Sequence, residues 1–163
     1  MSVKLVRIDD RLIHGQIVTA WIKEAKANAI LVADDIAAND PTQSMLLKLT
    51  TPKDTKLYIK GLKDSADSIK NNEIKEDVFM LIRNPENAYK LLEYGLDFSS
   101  INLGNVSNSK SDTGRKTILP FLHLEENDVN FIRKLDEAGV NLDVRAVPSD
   151  RSINAIELIN KKY

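Results

Sequence analysis

The chain has no cysteine. That removes disulfides, thiolate metal sites and a cysteine nucleophile at one stroke. It has no apolar run near the ~18 residues of a membrane span, and its start, Met1-Ser2-Val3-Lys4-Leu5-Val6, reads as a strand and not as a signal peptide. A surplus charge of one sign is missing too. The 23 Lys and Arg residues against 24 Asp and Glu leave a net charge of −1, which gives no bulk attraction to nucleic acid or to an anionic bilayer. Glycine and proline number 6 and 5 in 163 residues, and they form no linker, repeat, Gly-x-Gly-x-x-Gly stretch or P-loop. Neither the Ser-His-Asp order nor the nucleophile elbow of a hydrolase is present.

What is there fits one domain over residues 1–163, long enough to bury a real core. Strands and helices alternate. Strands are expected at Val3–Ile8, Ala29–Ala33, Lys56–Lys60, Val78–Ile82, Ser100–Leu103, Lys116–Leu119 and Leu142–Val147. Helices are expected from about Gly15 to Lys26, from Pro41 or Thr42 with Met45, Leu46 and Leu49, at Ser65–Lys70, after Asn84-Pro85, and at Glu125–Ala138. A last helix with Ile153, Ile156 and Ile159 is expected behind a cap at Ser149 or Asp150. This order predicts an α/β protein: a single doubly wound, mostly parallel open sheet with helices on both faces. Right-handed crossovers then gather the loops that begin at Asp9, Asp34, Arg83, Gly104 and Pro148 on one edge, where ligands bind in such sheets.

The richest segment is Arg7-Ile8-Asp9-Asp10-Arg11-Leu12-Ile13-His14-Gly15-Gln16-Ile17-Val18, a strand running through a polar turn into a helix. A helix N-terminus offers unpaired N–H groups and a positive dipole end to an anion. An imidazole there is a nucleophile toward phosphorus, with its neutral form available near neutral pH. His14 is therefore the candidate phosphoryl carrier, Arg11 the candidate for stabilising transferring charge, and Asp10 the likelier of the two aspartates to orient them. Gly15 and Gln16 supply backbone N–H groups to the phosphate. The alternatives are a histidine that only caps the helix or bonds a backbone carbonyl, and an Arg11 held in a surface ion pair with Asp9 or Asp10. The loop Gly104–Gly114, with Gly104 and Asn105, is a candidate lid or binding loop, or an inert excursion; Ser149 is a second candidate for lining the site. Asp34, Asp35 and Asp40 read as strand ends and helix caps, so no metal site is expected. His123 has no basic or glycine-rich setting and reads as structural.

The run from Arg7 to Val18, with Trp21 beyond it, resembles the signature of the IIB components of the mannose/fructose/sorbose family of the bacterial sugar phosphotransferase system. Asp34–Asp40, Arg83-Asn84-Pro85, Asn102–Asn105 and Asp143–Asp150 carry the likeness across the chain. After Gly104-Asn105 the family often has Met-His, where this chain has Val106-Ser107. The resemblance implies a cytoplasmic phosphotransferase with no cofactor. It implies that His14 accepts phosphate from a IIA protein and passes it to a sugar entering through a IIC/IID membrane channel. Membrane attachment is then expected through that channel and not through lipid, over a rim that includes the Gly104–Gly114 loop and the end of the first helix near Trp21. Whether copies associate into a homo-oligomer is left open. The competing reading is a non-catalytic, doubly wound phosphate- or nucleotide-binding regulatory module.

Overall fold

The computed structural model describes residues 2–107 and 115–163; residues 108–114 of the Gly104–Gly114 loop lie outside them. In chain order the elements are β1 (Val3–Ile8), α1 (Gly15–Ala25), β2 (Ala29–Ala33), α2 (Asp35–Asn39), α3 (Pro41–Thr50), β3 (Lys56–Lys60), α4 (Leu62–Lys70), β4 (Val78–Ile82) and α5 (Pro85–Glu93). There follow β5 (Ser100–Leu103), β6 (Lys116–Leu119), β7 (Leu122–Leu124), α6 (Glu126–Glu137), β8 (Asn141–Val144), β9 (Ile153–Asn154) and α7 (Ala155–Lys162).

Seven strands form one sheet in the order β3-β2-β4-β1-β5-β8-β9, and β6 pairs with β7 in a separate hairpin. The sheet is parallel from β3 to β8; only β9 runs antiparallel to its neighbour. β2 and β4 are buried at every position, the mark of strands covered on both faces. Alternate residues feed two cores. Leu31, Met80 and Ile82 pack with Leu62, Leu91, Ile132 and Leu158 of α4 to α7. Ile30, Val32, Phe79 and Leu81 pack with Val18 and Trp21 of α1 and Leu47 of α3. The expected doubly wound α/β sheet is the fold observed, and among the described residues no helix is long and apolar enough to cross a membrane.

The C-terminal part departs from expectation. β8 ends at Val144 and the chain doubles back through β9. Ser149 and Asp150 do not cap a helix: Asp150 Oδ2 accepts from the N–H groups of Ala146 (3.0 Å) and Val147 (3.2 Å), closing a turn. The cap of α7 is Asn154, whose Oδ1 accepts from Ile156 and Glu157. Ile153 therefore lies in a strand, not in the last helix. α3 starts at Pro41 as expected, but Met45, Leu46 and Leu49 face outward while Leu47 is buried.

Candidate functional site

β1 delivers the site to the carboxyl edge of the sheet. Its pleat sends Val6 and Ile8 into the core under α4 to α7 and leaves Leu5 and Arg7 on the side of α1. Beyond Ile8 the chain leaves the sheet as a short loop ending at His14, the N-cap of α1. Leu12 and Gly15 hold φ values of 59° and 49°. The left-handed region is unfavourable for a branched side chain, and Leu12 keeps it because Leu12 and Ile13 are buried in the cluster with Val18 and Leu47. Gly15 takes the same conformation without a Cβ.

Asp9 is the hub. It is 1% exposed, and its Oδ2 lies 2.8 Å from His14 Nε2 and 3.2 Å from Arg7 Nη2. Its Oδ1 accepts from the Arg11 N–H at 3.0 Å. A buried carboxylate facing one ring nitrogen fixes the tautomer, placing the proton on Nε2. Nδ1 is left without a hydrogen bond among the described residues and carries the free lone pair. His14 is 19% exposed, so that lone pair is reachable. Its side chain makes no capping bond to α1, which removes the capping alternative.

The assignment of orientation to Asp10 is corrected. Asp10 is buried, but its carboxylate points away, accepting from Asn105 Nδ2 at 2.8 Å and from the Ser107 N–H at 2.7 Å. It ties the His14 loop to the segment after β5. The carboxylate that faces the His14 ring is that of Asp9, two residues beyond Arg7 in the chain.

Arg11 is exposed, and among the described residues no carboxylate pairs with its guanidinium. It lines an open cavity of about 200 Å³ together with Leu46, Thr50 and Arg83. Arg83 itself is held in a bidentate grip by Asp34, at 3.0 and 2.8 Å. Gly15 and Gln16 are exposed at the start of α1, where N–H groups have no intrahelical acceptor and no side chain caps them. Asn105 belongs to the Asp10 tie, and Gly104 is buried against Arg7. Ser149 is exposed in the turn after β8. Trp21 is fully buried, its Nε1 donating to Ala146 O at 3.0 Å, so it cannot belong to an exposed docking rim. The proposed lid residues 108–114 lie outside the described residues. Asp34, Asp35 and Asp40 are engaged separately, accepting from Ala37 N, Leu62 N and Thr42 N.

Sequence reasoning placed Asp9 second to Asp10 and missed Arg7 and Asn102. The signal was present: Arg7 is a charge within an otherwise apolar strand at the sheet's centre, and Asn102 is its cross-strand neighbour. Burial pulls the Arg7 guanidinium pKa down, and the Asp9 carboxylate opposes that shift.

One edge of this α/β sheet thus presents a carboxylate-anchored histidine, an arginine with no carboxylate partner among the described residues, and exposed helix N–H groups, the parts an anion site needs. The model of one family, the PTS system sorbose subfamily IIB component, matches residues 3–163. The sorbose-specific EIIB component of Klebsiella pneumoniae is 33% identical over 162 residues, covering 99% of this chain and 97% of that protein. The mannose-specific EIIAB component of Escherichia coli (strain K12) is 31% identical over 162 residues, again 99% of this chain but 49% of the larger protein. The crystal structure of the IIBSor domain of the sorbose permease from Klebsiella pneumoniae superposes with a TM-score of 0.92 at 34% identity, covering 100% of this chain and 99% of that one. The chain belongs to the sorbose subfamily of phosphotransferase-system IIB components, phosphoryl carriers in sugar uptake.

Proposed function

We propose that this chain, acting as one IIB domain, receives a phosphoryl group on His14 Nδ1 from a IIA phosphohistidine. It then gives the group to a sugar entering through a IIC/IID membrane channel. The carrying observation is the 2.8 Å contact of Asp9 with His14 Nε2, which leaves Nδ1 without a hydrogen bond among the described residues; Arg11, three residues earlier on the same loop, has no carboxylate partner among them.

In the first step the Nδ1 lone pair attacks phosphorus, the donor's P–N bond breaks, and its electron pair returns to the donor ring. The resulting phosphoimidazole still carries its Nε2 proton and is cationic, and the Asp9 carboxylate stabilises it. In the second step a sugar hydroxyl attacks phosphorus, its proton passes to water, and the bond from phosphorus to Nδ1 breaks with its electron pair returning to the ring. The ring then leaves as neutral imidazole. Charge on the transferring oxygens is met by Arg11 and by the N–H groups of Gly15 and Gln16. Asp10, through Asn105, holds the loop that presents them.

Relatives named for sorbose, mannose and fructose, and one for N-acetylgalactosamine, support a hexose or an amino sugar as acceptor, selected in the channel. The EIIAB relative, which joins an A component to the B component, supports a IIA donor. The chain works at the cytoplasmic face, held there by the channel and not by lipid, with no cofactor.

Incubation with phosphoenolpyruvate, the general phosphotransferase proteins and a IIA donor tests this. Intact mass should rise by one phosphate that is lost in acid and kept in base. With vesicles, the protein should stay in the supernatant over plain lipid and co-sediment when the IIC/IID channel is present. An acid-stable phosphate, or pelleting with channel-free anionic vesicles, contradicts the reading.

A further inference from the structure

Behind Asp9 lies a row of buried polar groups that phosphoryl stabilisation by Arg11 does not use. Strand register pairs Arg7 of β1 with Asn102 of β5, and Asn102 with Asp143 of β8. Arg7, 1% exposed, donates from Nη1 to Asn102 Oδ1 and to Arg145 O, and from Nη2 to Asp9 Oδ2. Its guanidinium lies 5.1 Å from the centroid of the Trp21 ring. Asn102 Nδ2 donates to Asp143 Oδ2 at 3.1 Å, and Asp143 also holds Arg145 Nε at 2.8 Å and the Ser152 hydroxyl. Gly104 belongs to the same arrangement. A Cβ there would sit 2.2 Å from Arg7 Cζ, while the backbone is outside the left-handed region. Glycine is needed at that point for space and not for conformation.

We propose that Arg7 is a positioning residue of the carrier: its buried cation keeps Asp9 ionised and aimed, so that His14 holds a single proton on Nε2 and presents Nδ1 unprotonated, and Gly104 is the gap that admits its guanidinium. This rests on His14 being the phosphoryl-bearing residue. A carboxylate buried with only an imidazole for company has two outlets. It takes up a proton itself, or it draws a second proton onto the ring as an ion pair. The second outlet destroys the nucleophile.

The charges facing Asp9 close both outlets. Arg7 alone bonds this carboxylate through its guanidinium; Arg11 meets it through its backbone N–H, and the Arg145 guanidinium, from the segment after β8, is held by Asp143. Asp10 is committed to Asn105 and Ser107, and Asp143 to Arg145 and Ser152. A second proton on His14 would put a further positive charge beside the Arg7 guanidinium, which already shares the Asp9 carboxylate with the ring. Removal of Arg7 relaxes that opposition, so imidazolium persists to higher pH and the acid limb of phosphoryl acceptance moves upward.

Three variants test this with wild-type chain, phosphorylated IIA donor and ¹⁵N spectra of the imidazole. Arg7→Met should shift the acid limb of the acceptance profile up by about one pH unit and show a doubly protonated ring at pH 7. Arg7→Lys, which keeps the charge, should return the limb to within a few tenths of wild type. Gly104→Ala removes no hydrogen-bonding group but displaces the guanidinium, and should shift the limb in the Met direction by less. Should Arg7→Met fail to fold, Gly104→Ala carries the test. Unchanged ring protonation and an unchanged limb in the folded variants would overturn the assignment, as would equal shifts for Lys and Met. A wild-type chain that accepts no phosphate overturns the carrier reading instead, and the ring spectra then still report on Arg7 and Asp9 alone.

Discussion

His14 follows the central strand of the sheet and faces a buried carboxylate at 2.8 Å. His123 sits on the β6–β7 hairpin, with Nδ1 2.9 Å from Thr117 Oγ1 and Nε2 3.2 Å from Pro120 O. Both ring nitrogens of His123 are occupied by neutral groups, so it has no free lone pair and no charge to bias its tautomer. His14 has one nitrogen anchored and one without a partner among the described residues. The neighbourhoods differ in the same sense: Arg11 near His14 has no carboxylate partner among the described residues, whereas Arg115 beside His123 is shared by Glu125 and Asp128 at 3.8 and 3.7 Å. Reactivity follows from what a group's neighbours leave unsatisfied, and at His123 the neighbours leave little.

Arg11→Ala should have the largest effect, lowering the transfer rate by ~10²–10³ as one preorganised group facing developing charge is lost. Thermal stability should hardly move, since the side chain is exposed; unfolding of the variant would make the residue structural. Asp9→Asn should follow, at about 10–100-fold, the usual effect of removing an orienting partner, with the KM for the IIA donor unchanged; a raised KM alone would make Asp9 a docking residue. His123→Gln should leave transfer within twofold and stability within about 0.5 kcal/mol.

The smallest effect concerns pH. Burial pushes the Asp128 carboxyl above the usual carboxylate range, although its bond to the Glu125 N–H and the Arg115 charge pull the other way. The folded state then takes up this proton before the unfolded state does. Folding therefore gains stability as pH falls through the raised value toward the ordinary one, and loses it as pH rises. Asp128→Asn should remove that gain, so that denaturant midpoints fall more steeply on acidification than in wild type. Identical slopes would show that burial does not govern this carboxyl.

Much of the fold was legible. The ends of β1 to β6 agree with the expected boundaries, most plainly for the wholly apolar runs of β2 and β4, and Asn84-Pro85 announces α5 by its own chemistry. α2 and β9, with five and two residues, are too short to display a period. The turn at Ala146–Asp150 hid β9, because an aspartate that caps a helix and one that closes a turn read alike. The site divided in the same manner. His14, Arg11 and Gly15 stand out as residue types at a strand-to-helix turn, but the choice between Asp9 and Asp10 depends on which side of the pleat faces α1. Arg7 fixes that side: a charge in a central strand needs a partner, and the acidic residue two positions along the chain is Asp9.

The most direct test is the site of phosphate on chains charged by phosphoenolpyruvate through the IIA donor. Wild type and His123→Ala should each carry one acid-labile, base-stable phosphate, and tryptic mapping at alkaline pH should place it on the peptide with His14. His14→Ala should carry none. A stable phosphate on His14→Ala, or loss of phosphate in His123→Ala, would contradict the account.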